Sequence, residues 1–338
     1  MPEYPPLLSV RDVKALGAAG GQAFASLLVV RRFATKTAGN GNPFLSLELG
    51  DRSGSFSCTV FGDSPVFDLL RSAGEGAIVR VEGKIDYYQG KLSPRLAKAS
   101  VVEESKLTDP AMVSNLVENS PEDPKGLKAE LAGFIASVAR PELRGAVQAV
   151  FDELGEVFLT APAALGMHHA YRHGLLEHTV RMARAAQALC PLYPEVDRDL
   201  AMAGVLLHDT GKAIEYEGTL APRRSRRGLL QGHVVLGYQL VRKAGMKARL
   251  DAELLERLEH IVLSHQGQLE WGAAVMAATP EAVLVSMIDN LDAKMGMVQR
   301  ALRQAAAGEE FSERLPGLET ALLTRPPPPG TGATAGSG

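Results

Sequence analysis

The sequence predicts a multidomain chain, with an all-β barrel at the N-terminus followed by an all-α helical bundle. Three observations carry that prediction. Between residues 24 and 103 apolar and polar residues alternate, the period of half-buried strands. From about residue 126 to 324 apolar residues recur at steps of three and four, and no alternating segment interrupts them. Between the two halves, "TDPAMVSNLVENSPEDPK" at 108–125 is polar and carries proline, the composition of a linker with one helical turn.

In the strand half, "AFASLLVVRRFAT" reads as the first strand. In "NPFLSLELG", Leu45, Leu47 and Leu49 alternate with Phe44, Ser46 and Glu48, so the leucines take the core and Phe44 points outward. "GDRSG" at 50–54 is a turn. It lies between strands and lacks a GK[ST] ending, which excludes a phosphate-binding loop. Phe56, Cys58 and Val60 alternate on the next strand. "SPVFDLLRSAG" at 64–74 is a short helix closed by Gly74, and "AIVRVEGKIDYYQGKLSPRLAKASVVEE" is a hairpin pivoting near Gly90. Five short strands with one helix after the third are the pattern of an oligonucleotide-binding (OB) barrel, assigned to residues 1–107. The linker takes 108–125, the bundle 126–324, and the low-complexity "RPPPPGTGATAGSG" ends a disordered tail at 325–338.

Composition narrows the function. Of 338 residues, 36 are Lys or Arg and 39 Asp or Glu, for a formal net charge of −3. No global polycation exists, so any nucleic-acid contact rests on local patches. The two cysteines, Cys58 and Cys190, stand in no ligand spacing and read as free buried thiols of a reducing compartment. "MPEYPPLLSVRD" has neither the basic start nor the apolar core of a signal peptide, and no apolar run is long enough to span a membrane. A cytoplasmic protein without membrane contact is expected.

All eight histidines fall between His168 and His265, inside the helical half. His178, His208, His233 and His265, followed by Asp289, each sit on or at the end of a different predicted helix. His265 follows Ile261 by four residues and Leu258 by seven, so it lies on the apolar stripe, whereas His260 lies off it and is expected in solvent. His178 shares a face with Leu175 and Met182. A single histidine on such a face is ordinarily a core residue bonded to a carbonyl. Four of them with Asp209 and Asp289 need collective partners, and helical bundles build metal sites from inward side chains of this kind.

The order His178, His208-Asp209, Asp289 resembles the HD phosphohydrolase superfamily, and His233 and His265 match its two-metal subset. "HHAYRHGLLEHT", "LLHDTGK", "GHVVLG", "VLSHQGQLEWG" and "MIDNLDAK" resemble, in order and spacing, the YhaM-type 3′–5′ exoribonucleases. That family carries an OB barrel ahead of its HD domain. The resemblance spans about residues 20 to 300. It implies that His178, His208, Asp209 and Asp289 hold one ion and that Asp209, His233 and His265 hold the other. It also implies that His168 and His169 face the substrate. The chain departs from the family at His173, where Gly is usual, at Gln266, where a second His is common, and at Met287, where His or Ala is frequent.

Imidazole and carboxylate donors without thiolate suit two divalent transition-metal ions, Mn²⁺ first, with Fe²⁺, Co²⁺ and Zn²⁺ as alternatives. Asp209 is the natural bridging ligand, because its carboxylate has two oxygens. Two such ions clamp a phosphodiester for in-line attack. Lys212 is a catalytic candidate that would stabilise phosphate charge, the alternative being a helix C-terminal cation. "APRRSRRG" puts Arg223, Arg224, Arg226 and Arg227 in a loop, either solvated or guiding a nucleic-acid backbone. On the barrel, Phe44, Phe33, Tyr87 and Tyr88, beside Arg31, Arg32 and Lys91, are candidates for base stacking between cations.

The reading these features support is a metal-dependent 3′–5′ exonuclease of single-stranded RNA, with single-stranded DNA as a further substrate. The family supplies the polarity and the nucleoside 5′-monophosphate product. Two other readings are a phosphohydrolase of small nucleotides, which needs no stacking platform, and a non-enzymatic single-strand-binding module, which needs no complete ligand set. Self-association into a homo-oligomer is open, since no heptad seam marks it.

Overall fold

The computed structural model describes residues 6–16, 21–39, 41–88, 91–103, 106–107, 110–117, 119–165, 171–218, 222–304, 310–315 and 317–324. After the short helix α1 (Val10–Ala15), the strands β1 (Ala23–Thr37), β2 (Pro43–Asp51) and β3 (Gly54–Phe61) follow one another. Helix α2 (Phe67–Ala73) comes next, then β4 (Ile78–Lys84), the hairpin β5 (Tyr87–Tyr88) and β6 (Lys91–Leu92), and β7 (Arg95–Val102). One antiparallel sheet runs in the order β3-β2-β1-β4-β7. Strand β1 is long enough to serve two partners. Residues 23–29 pair with β4 and 29–37 with β2, and the register shifts between Val30 and Arg32. The bulge at Arg31 lets the strand bend from one pairing to the other.

Leu45, Leu47 and Leu49 of β2 face Phe56, Cys58 and Val60 of β3 and the inner residues of β1 and β4 in one core. Phe67 and Leu70 of α2, the short helix expected within 64–74, close that core. The hairpin pairs Tyr88 with Lys91; its predicted pivot, Gly90, is outside the described residues.

The described residues of the segment 108–125 pack on both halves. Helix α3 (Pro110–Leu116) belongs to the barrel, because Leu116 and Val117 bury against Val29 and Ile78. Residues 119–122 belong to the helices. Ser120 N–H donates to Arg172 O at 3.0 Å, and Glu122 accepts from Arg181 and Arg184 at 2.9 Å each. Apolar residues at 116–117 and an acid at 122 divide a stretch that composition alone reads as uniform.

The bundle comprises α4 (Pro124–Ala136), α5 (Pro141–Thr160), α6 (Gly174–Leu189), α7 (Arg198–Leu207), α8 (Lys212–Glu215), α9 (Arg226–Ala248), α10 (Ala252–Ser264) and α11 (Pro280–Gln304). A two-stranded ribbon, β8 (Tyr216–Glu217) and β9 (Arg223–Arg224), separates α8 from α9. Helix α7 is apolar all round from Leu200 to Leu207 and is buried throughout, packed among α4, α5, α6, α10 and α11. A helix without a polar face belongs at the centre of a bundle, so whatever stands at its end is delivered to the interior. Gln304 is the last described residue of α11, and the described residues of 310–324 form short bridges such as Phe311 to Leu323. The predicted tail at 325–338 lies outside the described residues. Among the described residues no helix is long and apolar enough to cross a membrane.

Candidate metal centre

Two helices end on a histidine in the same way. Where α7 runs out, His208 Nδ1–H donates to Val205 O at 2.7 Å. Where α10 runs out, His265 Nδ1–H donates to Val262 O at 2.7 Å. The final carbonyls of a helix lack backbone partners, and each imidazole takes one. That bond places the proton on Nδ1 and leaves the Nε2 lone pair facing inward. Two glycines complete the local geometry. A Cβ on Gly211 would overlap the carbonyl oxygen of His233, so the turn "HDTGK" can lie against α9 only with glycine there. Gly232, at φ 69°, bends α9 immediately before His233 and turns that imidazole toward the same point.

The five predicted ligands from His178 to His265 converge, with Asp209 at the centre. Its Oδ2 lies 3.5 Å from His178 Nε2 and 3.4 Å from His208 Nε2. Its Oδ1 lies 3.6 Å from His233 Nε2 and 3.4 Å from His265 Nε2. His178 Nε2 is 3.2 Å from His208 Nε2 and 3.3 Å from Asp289 Oδ1. One carboxylate thus stands between two groups that can each hold an ion: His178, His208 and Asp209, and Asp209, His233 and His265. Asp289 adjoins the first through His178.

The donors fit divalent cations on three grounds. Ligands about 2.1 Å from one ion stand about 3.0 Å apart at right angles and about 3.4 Å apart at tetrahedral angles, and the spacings above, 3.2 to 3.6 Å, lie within about 0.2 Å of that range. The Nε2 atoms of His178 and His208 face each other, an arrangement that needs a proton or a cation between two lone pairs. Asp209 Oδ1 is buried and accepts no hydrogen bond among the described residues, a costly state for a carboxylate oxygen without a positive partner. Neither thiol takes part, because Cys58 lies in the barrel core and Cys190 in the bundle core.

Electrostatics point the same way. Burial pushes the His178 imidazole down, but hydrogen bonds to Asp209, Asp289 and Asp292 outweigh it and raise its pKa well above the usual range. Burial would raise Asp209, yet the Lys212 ammonium and the His208 and His178 rings hold it well below the carboxylate range. Asp289, also buried, is brought down to about 2, chiefly by His178. The carboxylates therefore stay ionised around a point that attracts positive charge.

Three residues that the sequence reading does not select as ligands touch the ligands. His178 Nδ1–H donates to Asp292 Oδ2 at 2.7 Å. Glu215 Oε2 stands 3.1 Å from His233 Nδ1. Gln266, noted only as a departure from the family, places its amide nitrogen 3.1 Å from His233 Nε2 and 3.0 Å from His265 Nε2. Carboxylates behind ligating histidines fix their orientation and raise their basicity. The spacing from Asp289 to Asp292, three residues along one helix face, is the signal that would have found Asp292.

Lys212 Nζ lies 2.6 Å from Asp209 Oδ2 and is buried, so it belongs to the centre and is not a helix C-terminal cation. The arginines are not in a loop. Arg223 and Arg224 form β9, where Arg223 pairs with Glu217 at 3.1 Å and Arg224 approaches Glu215 at 3.8 Å. Arg226 and Arg227 open α9 after the cap Ser225, and both are exposed. The early start of α9 was hidden by Gly232, which interrupts the helical pattern. His168 and His169 fall outside the described residues. His260 is not solvated as expected, since its Nε2 accepts the Ala278 N–H at 2.8 Å. His173 stands at φ 66°, the left-handed region where glycine is at ease, and its ring donates to Leu159 O at 2.7 Å.

On the barrel the predicted platform is partly corrected. Phe44 is outward, and Phe61 beside it on β3 is 55% exposed, with ring centroids 6.1 Å apart. Lys36 is the β1 partner of Phe44. Alternation with the core residues Phe56, Cys58 and Val60 would have marked Phe61. Arg32 is exposed and pairs with Glu48 at 3.4 Å. Phe33 and Tyr87 instead pack against the barrel core, and Arg31 donates to Asp51 O at 2.5 Å, spanning the bulge. The side chains of Tyr88 and Lys91 lie outside the described residues.

Comparison with family models places two known domains on this chain. Residues 29–102 match the OB-fold nucleic acid binding domain, and residues 175–294 match the HD domain. The second match covers all six predicted metal ligands and marks the helical half as a metal-dependent phosphohydrolase domain. The first marks the barrel as a nucleic-acid-binding domain.

Proposed function

We propose that this protein is a metal-dependent 3′–5′ exonuclease that hydrolyses single-stranded RNA, and single-stranded DNA as a second substrate, to nucleoside 5′-monophosphates. The observation that carries the proposal is Asp209, whose two buried oxygens each face a pair of imidazoles, on a chain that also carries an OB barrel. The polarity and product follow the resemblance to the YhaM-type enzymes.

His178, His208, Asp209 and Asp289 would hold one ion, and Asp209, His233 and His265 the other. When bound, two divalent ions activate water and offset phosphodiester charge, with Mn²⁺ the first expectation for this donor set. The chain's own groups supply the rest. Asp292 and Glu215 keep the Nδ1 protons of His178 and His233 in place. Lys212 holds Asp209 ionised and presents an ammonium at the centre, where a phosphate oxygen would meet it. Arg223, Arg224, Arg226 and Arg227 set positive charge on the ribbon and helix start leading to His233. Phe44 and Phe61, with Lys36 opposite Phe44 on β1, offer ring faces to bases of any sequence.

The test is a 5′-labelled single-stranded RNA with added Mn²⁺, comparing wild type with Asp209→Ala. A ladder shortening from the 3′ end, absent in the variant, supports the proposal. Intact RNA with metal demonstrably bound overturns it and turns attention to small nucleotides.

A further inference from the structure

Gln266 does something at this centre that a structural role does not explain. It follows His265 at the end of α10, is half-buried, and directs its side-chain amide nitrogen at two ligands at once, 3.1 Å from His233 Nε2 and 3.0 Å from His265 Nε2. The Nδ1 proton of His265 is committed to Val262 O, and that of His233 faces Glu215. Both Nε2 atoms are therefore acceptors, and the amide offers two N–H donors, one for each. The opposite amide orientation would set a carbonyl oxygen against two lone pairs. The –NH₂ group thus satisfies the same lone pairs that an ion held by Asp209, His233 and His265 would use. An amide nitrogen has no lone pair to give a metal, so it cannot remain there as a ligand.

We infer that Gln266 is an internal competitor of the second ion, which lowers the affinity of the Asp209–His233–His265 position and leaves the His178–His208–Asp209–Asp289 position unaffected. This inference rests on the two-metal reading above. Its consequence is stepwise loading. Among the described residues the first position has Lys212, an ammonium on Asp209 Oδ2, and the single proton between the Nε2 atoms of His178 and His208 to displace. The second is also closed by a two-point hydrogen bond that must break before an ion enters. Being half-buried, Gln266 has room to swing toward solvent. Replacing it removes two neutral hydrogen bonds from the ion-free state without removing a ligand.

The experiment uses the full chain, stripped with chelator and titrated with Mn²⁺. Calorimetry resolves the two binding steps, and the spin resonance of free Mn²⁺ counts bound ions. His233→Asn identifies which step belongs to the second position. In Gln266→Ala, and in the similarly sized Gln266→Leu, the weaker step is expected to tighten about tenfold, equivalent to 1.4 kcal/mol, while the tighter step stays put. A weaker step that is unchanged, or that weakens because the side chain turns its oxygen to the ion, overturns the inference alone. No Mn²⁺ bound by the wild type overturns the two-metal reading and the inference with it.

Discussion

Asp292 Oδ2 accepts the Nδ1 proton of His178 at 2.7 Å, while Nε2 of the same ring lies 3.3 Å from Asp289 Oδ1. Two acids one turn apart on α11 thus grip the two nitrogens of one imidazole. Removing the outer partner frees the ring and lowers its basicity. Asp292→Ala is expected to weaken Mn²⁺ binding at the first position roughly 10- to 100-fold. A calorimetric titration checks this, with Asp289→Ala costing more.

Gly211 is the second point of dependence. Its hydrogen occupies the only space between the "HDTGK" turn and the carbonyl of His233. Gly211→Ala forces backbone apart in a close-packed interior, at a cost of about 3 kcal/mol. Urea unfolding followed by circular dichroism should show that loss, and metal binding should fall with it, since the turn carries His208 and Asp209.

On the barrel, Phe44 and Phe61 share an outer surface while their strands bury the alternate residues. Phe44→Ala and Phe61→Ala are each expected to weaken single-stranded RNA binding by about 1–3 kcal/mol, the worth of one stacked base. Fluorescence anisotropy with a labelled oligonucleotide measures this. Phe33→Ala serves as the contrast: it should cost folding stability, because its ring packs on the core.

Burial pushes the Cys58 thiol up to about 12 from an ordinary value of 9.0. The unfolded chain therefore releases this proton at lower pH than the folded one. Stability contributed by the neutral thiol is present below pH 9 and is lost as pH rises from 9 toward 12. Cys58→Ala should show a shallower alkaline fall in unfolding free energy than wild type. Iodoacetamide, which needs the thiolate, should label Cys58 at pH 8 only after the barrel unfolds.

Much of the centre was legible in the sequence because its ligands obey spacing. His208 and His265 end apolar stripes, and a polar group at the end of an all-apolar helix such as α7 has nowhere to go but inward. The supporting groups obey no such rule. Glu215 and Gln266 read as ordinary helix-end residues, and only the packing of α9 against both α8 and α10 brings them to the histidines. On the barrel, alternation served β2 and β3 well, which is why Phe44 was found. It gave no guide to β1, where the register shifts at the bulge and Phe33 packs against the core. The arginine segment reads as a loop because Gly232 breaks α9 and its first turn carries no visible period.

The most direct measurement is the number of Mn²⁺ ions bound per folded chain in wild type and in Asp209→Asn. Two ions in the wild type, with both steps lost or severely weakened together in the variant, are predicted by a carboxylate shared between two positions. One ion in the wild type, or a variant that keeps either step at full affinity, would contradict it.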